Sequence, residues 1–138
     1  MIGCIICGHG NYSEGMYDAL HKIVGDLTDI VTVSFDVQQQ EDVLVGQLEK
    51  MIKTMSDMDR IIIACDLCNG TPFKMGVMLS LKYSNIEVVG GINLAFLIEL
   101  AVKKSYDPRL SLKMLCDEAK TQISVFDCRQ EEENTDED

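Results

Sequence analysis

Apolar residues in this chain come in short continuous runs, which alternate with stretches where they recur every three or four positions. The first run, Ile2-Gly3-Cys4-Ile5-Ile6-Cys7, contains no charged residue and reads as a strand buried on both faces, as in a parallel sheet. It breaks on Gly8-His9-Gly10. From Ser13, a residue suited to cap a helix, Met16, Leu20, Ile23 and Val24 follow at helical spacing and end at Gly25. The alternation then repeats. Ile30-Val31-Thr32-Val33-Ser34-Phe35 is a second strand, and Leu44, Leu48, Met51, Ile52 and Met55 mark one face of a helix over 41–56. Arg60-Ile61-Ile62-Ile63-Ala64-Cys65 is a third strand, and Phe73, Val77 and Leu81 line the helix after it. Ile86-Glu87-Val88-Val89-Gly90-Gly91 is a short fourth strand, with Leu94, Leu97, Ile98 and Ala101 on a fourth helix. Asp107-Pro108 offers a cap and a first-turn proline to a fifth helix carrying Leu112, Leu115, Cys116 and Ala119. Residues 121–127 read as a last edge strand whose direction the pattern leaves open.

Strand and helix in alternation imply right-handed crossovers, hence an α/β fold with a mostly parallel central sheet and helices on both faces. The 138 residues form one domain over 1–128, with no linker or internal repeat. Residues 129–138 are an acidic tail, expected to be disordered. Glu131, Glu132, Glu133, Asp136, Glu137 and Asp138 carry −6 of the formal net charge of −11 and leave −5 for the body. That balance argues against nucleic acid, whose binders need basic faces. No apolar run reaches the ~20 residues of a membrane span, and no basic segment precedes an apolar one at the N-terminus. The expectation is a cytoplasmic protein.

In an open parallel sheet, ligands meet the carboxyl ends of the strands near the point where strand order reverses. Three segments at that end stand out: Gly8-His9-Gly10-Asn11, Asp66-Leu67-Cys68-Asn69-Gly70-Thr71-Pro72 and Gly90-Gly91-Ile92-Asn93. If the first and third strands are neighbours, His9 and Asp66 come within reach of each other. A carboxylate that accepts from one imidazole nitrogen fixes the tautomer and leaves the other nitrogen with a free lone pair, as nucleophile or base. Gly8 and Gly10 allow close approach of a second molecule and leave amides for an anion. Gly70-Thr71-Pro72 places a helix start there, with Thr71 as cap and Pro72 in the first turn, and a helix N-terminus favours phosphate. His9 and Asp66 are thus the candidate catalytic pair, with Gly8, Gly10, Gly70 and Thr71 as phosphoryl-binding support. The same residues also serve ordinary ends: a histidine between glycines is a turn residue, and an aspartate after a strand caps its loop. His21 reads as a surface residue.

Six cysteines (Cys4, Cys7, Cys65, Cys68, Cys116 and Cys128) read as thiols in such a chain. Two Cys-x-x-Cys spacings offer a rival chemistry, metal or redox, centred on Cys65 and Cys68. Cys4 and Cys7, three apart in one strand, point to opposite faces and cannot hold one ion together.

The strand running into Gly8-His9-Gly10, the Asp66-x-x-x-Gly70-Thr71-Pro72-Phe73 loop and the Gly91-x-Asn93-Leu94 turn, in that order, resemble a known family. It is the IIA component of the mannose-type (mannose, fructose and sorbose) bacterial sugar phosphotransferase system, and the likeness spans residues 2–127. The resemblance implies that His9 takes a phosphoryl group from the phosphohistidine of the carrier HPr and passes it to the IIB component. The membrane components IIC and IID then transport and phosphorylate the sugar. It implies Asp66 as the carboxylate orienting the histidine and Thr71 as a hydroxyl beside the phosphoryl group, with no metal and no cofactor. It also implies a homodimer whose last, antiparallel strand, residues 121–127 here, is exchanged between subunits. Asn69 stands where the family often has a glycine, and no IIB domain follows in this sequence. Related domains act inside regulators, so a phosphorylation-dependent regulatory module remains an alternative, beside the thiol or metal protein using Cys65 and Cys68.

Overall fold

The first apolar run becomes β1 (Ile2–His9), and seven of its eight residues are buried. The computed structural model describes residues 1–129; the acidic tail expected over 129–138 lies outside them from residue 130 onward. The chain continues as α1 (Tyr12–Val24), β2 (Ile30–Phe35), α2 (Glu41–Thr54), β3 (Arg60–Cys65), α3 (Thr71–Lys82), β4 (Ile86–Val89), α4 (Leu94–Lys103) and α5 (Leu112–Lys120). The four strands form a parallel sheet in the order β2-β1-β3-β4. Strand order therefore reverses between β1 and β3, the pair whose adjacency brings His9 toward Asp66.

Because side chains alternate across a strand, each central strand feeds two cores. Ile2, Cys4 and Ile6 of β1, with Ile62 and Ala64 of β3, pack under α1, α4 and α5 against Leu20, Phe96, Leu97, Leu100 and Leu115. Ile5 and Cys7, with Ile61, Ile63 and Cys65, pack under α2 and α3 against Leu44, Leu48, Ile52, Met75 and Leu79. Helix α3 lies close on the sheet because Gly76 carries no side chain: a Cβ there would stand 3.2 Å from Val88. Among the described residues, no helix is long and apolar enough to cross a membrane.

Four local expectations are corrected. Ser13 does not cap α1; Asn11 holds that place, and Ser13 is buried with its Oγ 3.1 Å from that of Ser34. Helix α3 buries Pro72, Met75, Gly76 and Leu79 and leaves Leu81 exposed, since its small glycine face is the one that fits the sheet. Asp107-Pro108 does not start α5. Arg60 pairs with Glu87 and also donates to the carbonyls of Pro108 and Leu110, which keeps those residues in a turn, and Ser111 caps α5 by accepting from Met114 N–H. Residues 121–127, expected as a strand, form a turn at Thr121 and Gln122 and then irregular chain. Strand hydrogen bonds need a paired edge, and within the single chain this segment pairs with neither edge strand of the sheet, β2 or β4. Ile123, Val125 and Phe126 are consequently exposed.

One backbone feature bears on the Asp66 loop. Asn69 has φ 65°, in the left-handed region that asparagine tolerates far better than branched residues. Replacing Asn69 by glycine should leave stability within a few tenths of a kcal/mol, whereas Asn69→Val should cost about 1–2 kcal/mol in urea unfolding. Equal stability of the valine variant would contradict a strained loop.

Candidate functional site

His9 is the last residue of β1, and Asp66 directly follows β3. Cys7 of β1 and Cys65 of β3 are paired in register, and Asp66 N–H donates to Cys7 O at 3.3 Å. From that position the Asp66 carboxylate reaches back across the strand end. One oxygen, Oδ2, accepts from the His9 backbone N–H at 2.9 Å and stands 2.9 Å from His9 Nδ1; the other, Oδ1, accepts from Leu67 N–H at 2.9 Å. A carboxylate can only accept, so the proton between them belongs to Nδ1 and the neutral ring presents a lone pair at Nε2. The Asp66 side chain is 10% exposed and that of His9 32%, so the carboxylate is shielded while the ring keeps access to solvent.

Each wall of the site has an identifiable cause. Phe35, the register partner of His9 on β2, meets the imidazole edge-on with ring centroids 5.5 Å apart. Gly8 is needed by crowding: a Cβ there would stand 2.6 Å from Tyr12 Cδ1 and 3.0 Å from Asp66 Cγ. Gly70 approaches the far side of the ring, where an added Cβ would lie 3.3 Å from His9 Cε1. Gly10, at φ 56°, turns the chain from β1 into α1.

Gly70, and not Thr71, is the N-cap of α3, and among the described residues no side chain caps that helix. Thr71 is its first residue, and Lys74 N–H, on Gly70 O at 2.9 Å, is the first amide to close the helical ladder. The Thr71 and Phe73 amides precede that point, and Pro72 has none. An uncapped helix start with two spare donors therefore lies beside the imidazole, an arrangement suited to an anion. The sequence also predicts the Gly10 amide in this role, but its N–H donates to Phe35 O at 2.8 Å. His21 lies apart, exposed at the end of α1 with Nδ1 2.7 Å from Gly25 O.

The cysteines sit differently from a thiol or metal centre. Cys4 belongs to the core under α1, α4 and α5, while Cys7 and Cys65 belong to the opposite one. Burial pushes the Cys7 thiol up to about 12 and that of Cys65 higher still, with the Asp66 charge adding in the same direction. Reactive and ligating cysteines need a thiolate, which these surroundings oppose. Cys68 is exposed on the Asp66 loop.

Two contributors escaped sequence reading, Phe35 and Tyr12. The first follows from the register of β1 and β2. The second packs on Gly8 and donates from its hydroxyl to Ile92 O at 3.2 Å, and no motif marks it.

The chain and its fold have counterparts among known proteins. A family model described as "EIIA-man: PTS system fructose IIA component" matches residues 3–120. The chain is 27% identical over 100 residues to the sorbose-specific EIIA component of the phosphotransferase system of Klebsiella pneumoniae, covering 72% of this chain and 73% of that protein. A mannose/sorbose-specific IIA subunit from Enterococcus faecalis superposes with a TM-score of 0.82 at 26% identity, over 91% of this chain and 94% of that one. An EIIA component from Streptococcus agalactiae gives 0.77 at 27% identity, over 94% and 99%. With its four parallel strands and a histidine–carboxylate pair at their reversal point, the chain belongs to the EIIA-man family, the mannose-type IIA components of the sugar phosphotransferase system.

Proposed function

We propose that this protein is a cytoplasmic phosphocarrier in which His9 Nε2 accepts a phosphoryl group from the phosphohistidine of HPr and passes it to a IIB component. The observation that carries this reading is the His9 Nδ1 to Asp66 Oδ2 contact of 2.9 Å, which leaves Nε2 as the free nucleophile. In the forward step the Nε2 lone pair forms a bond to phosphorus as the donor's nitrogen–phosphorus bond breaks. The electron pair of that bond returns to the donor ring. The Nδ1 proton stays in its hydrogen bond to Asp66, whose charge stabilises the substituted, cationic ring. Transfer to IIB is the same step in reverse on a new acceptor.

Phosphoryl transfer asks the protein mainly for alignment and for donors to the phosphoryl oxygens. The Thr71 and Phe73 amides at the start of α3, with the Thr71 hydroxyl, fit that need, and Gly70 lets the helix come close to the ring. Gly8 serves by admitting Asp66, and Gly10 by turning the chain, so both support the site through shape. The exposed apolar stretch at Ile123, Val125 and Phe126 supports a homodimer in which residues 121–127 pair with the sheet edge of a second subunit.

Incubation with enzyme I, HPr and phosphoenolpyruvate should add one acid-labile phosphoryl group by intact mass, and His9→Ala should abolish it. Asp66→Ala should slow acceptance on the order of 10²-fold without unfolding the protein, the scale expected when a reacting group loses alignment. Phosphorylation of the His9→Ala variant at an undiminished rate would refute the assignment.

Thiol titration separates this reading from chemistry at Cys65 and Cys68. In native protein near neutral pH, a maleimide should modify Cys68 and Cys128 first and Cys116 more slowly, leaving Cys4, Cys7 and Cys65 until the chain is unfolded. Rapid native modification of Cys65 would revive the thiol reading.

A further inference from the structure

We infer that Tyr12 is a positioning residue for the His9–Asp66 pair, its ring walling the carboxylate's flank and its hydroxyl tying the first turn of α1 to the β4–α4 loop, which in turn bonds the end of β3 just before Asp66. The inference rests on His9 being the phosphoryl acceptor, and it adds a residue to which neither the sequence motifs nor the helix-start chemistry points.

Gly8 is the point where the ring and the carboxyl meet. Its bare Cα is the floor on which two groups converge: a Cβ would meet Tyr12 Cδ1 at 2.6 Å and the Asp66 carboxyl at 3.0–3.1 Å, so ring and carboxyl share the space that a side chain would fill. Parity explains the meeting. Residue 8 falls on the same face of β1 as Cys4 and Ile6, residue 66 continues the face of Ile62 and Ala64, and Tyr12 packs against that same core under α1, α4 and α5. The ring thus lies beside the carboxyl on the side of that core.

The polar end of Tyr12 closes a circuit. Its hydroxyl donates to Ile92 O at 3.2 Å, and Ile92 N–H donates to Cys65 O, also at 3.2 Å. Cys65 immediately precedes Asp66, which holds His9 through two contacts to one oxygen. Tyr12 is three residues beyond His9. The path runs from His9 through α1's first residue to the β4–α4 loop, across to β3 and back to His9 through Asp66. Three of the four loops at the carboxyl end, those after β1, β3 and β4, are joined in it. Burial and the nearby Asp66 charge raise the Tyr12 hydroxyl to about 12, in keeping with a neutral donor beside the carboxylate. A dry flank also strengthens the hydrogen bond between Asp66 and His9.

The test compares Tyr12→Phe, which keeps the ring, with Tyr12→Leu, which keeps bulk without a flat face. The first readout uses unphosphorylated protein: nitrogen and proton NMR of the His9 ring, reporting the tautomer and the rate at which the Nδ1 proton exchanges with water. The second is the kcat and KM of phosphoryl acceptance from phospho-HPr. For Tyr12→Leu we expect faster Nδ1 proton exchange, a mixed tautomer and kcat lower by on the order of tenfold with KM unchanged, as for a group that aligns rather than binds. Tyr12→Phe should recover the tautomer and most of kcat, and exchange at an intermediate rate. If Tyr12→Leu folds and keeps the wild-type tautomer, exchange rate and kcat, the inference is wrong. It is equally wrong if the variant loses only thermal stability, with kcat per folded molecule unchanged. If wild-type protein accepts no phosphoryl group, the phosphocarrier reading fails, while the ring signals of the variants still decide whether Tyr12 positions the pair.

Discussion

The hydrogen bond between His9 and Asp66 depends on two strands being neighbours, and much of the structure can be read as what that adjacency requires. β1 and β3 lie side by side at the centre of the sheet, and their apolar residues are anchored from both faces. A slip of one residue in either strand would exchange its two faces and carry one partner away from the other. The two cores thus hold the register that sets a 2.9 Å contact. Glycine supplies the remaining condition. At Gly8 any side chain would collide with the groups that form the pair, and at Gly70 one would press on the imidazole itself.

The rest of the site uses the geometry of a parallel sheet. Every strand points its carboxyl end the same way, and every following helix points its N-terminus there. The partial positive charge of α3 therefore lies where an anion bound at His9 would need it. A net-negative protein can hold a phosphoryl group in this way without clustering cations, because backbone amides supply the donors. The same layout opposes thiol chemistry. Strand alternation puts Cys4 in one apolar core and Cys7 and Cys65 in the other, and low polarity favours the protonated form of all three.

The strand–helix rhythm, the two cores and the location of His9 and Asp66 at strand ends were legible from apolar spacing. So was the separation of Cys4 from Cys7, since it needs only the two-residue period of a strand. The adjacency of β1 and β3 was not, because pairing is decided by packing between distant segments. Phe35 and Tyr12 stayed hidden for the same reason, each being defined by what it meets across the sheet. Local signals failed where tertiary contacts overrode them. Ser13 has a cap's chemistry but is drawn into the interior by Ser34, and Asp107-Pro108 has a helix start's chemistry but is held as a turn by Arg60. Residues 121–127 have a strand's composition but pair with neither sheet edge, β2 or β4, in one chain.

Phosphorus–nitrogen correlated NMR of uniformly nitrogen-labelled protein, recorded after phosphorylation, identifies the acceptor atom itself. One phosphoryl group is expected, coupled to Nε2 of His9, with the Nδ1 proton still protected by Asp66. A phosphoryl group on Nδ1, on His21 or on any other residue would contradict it.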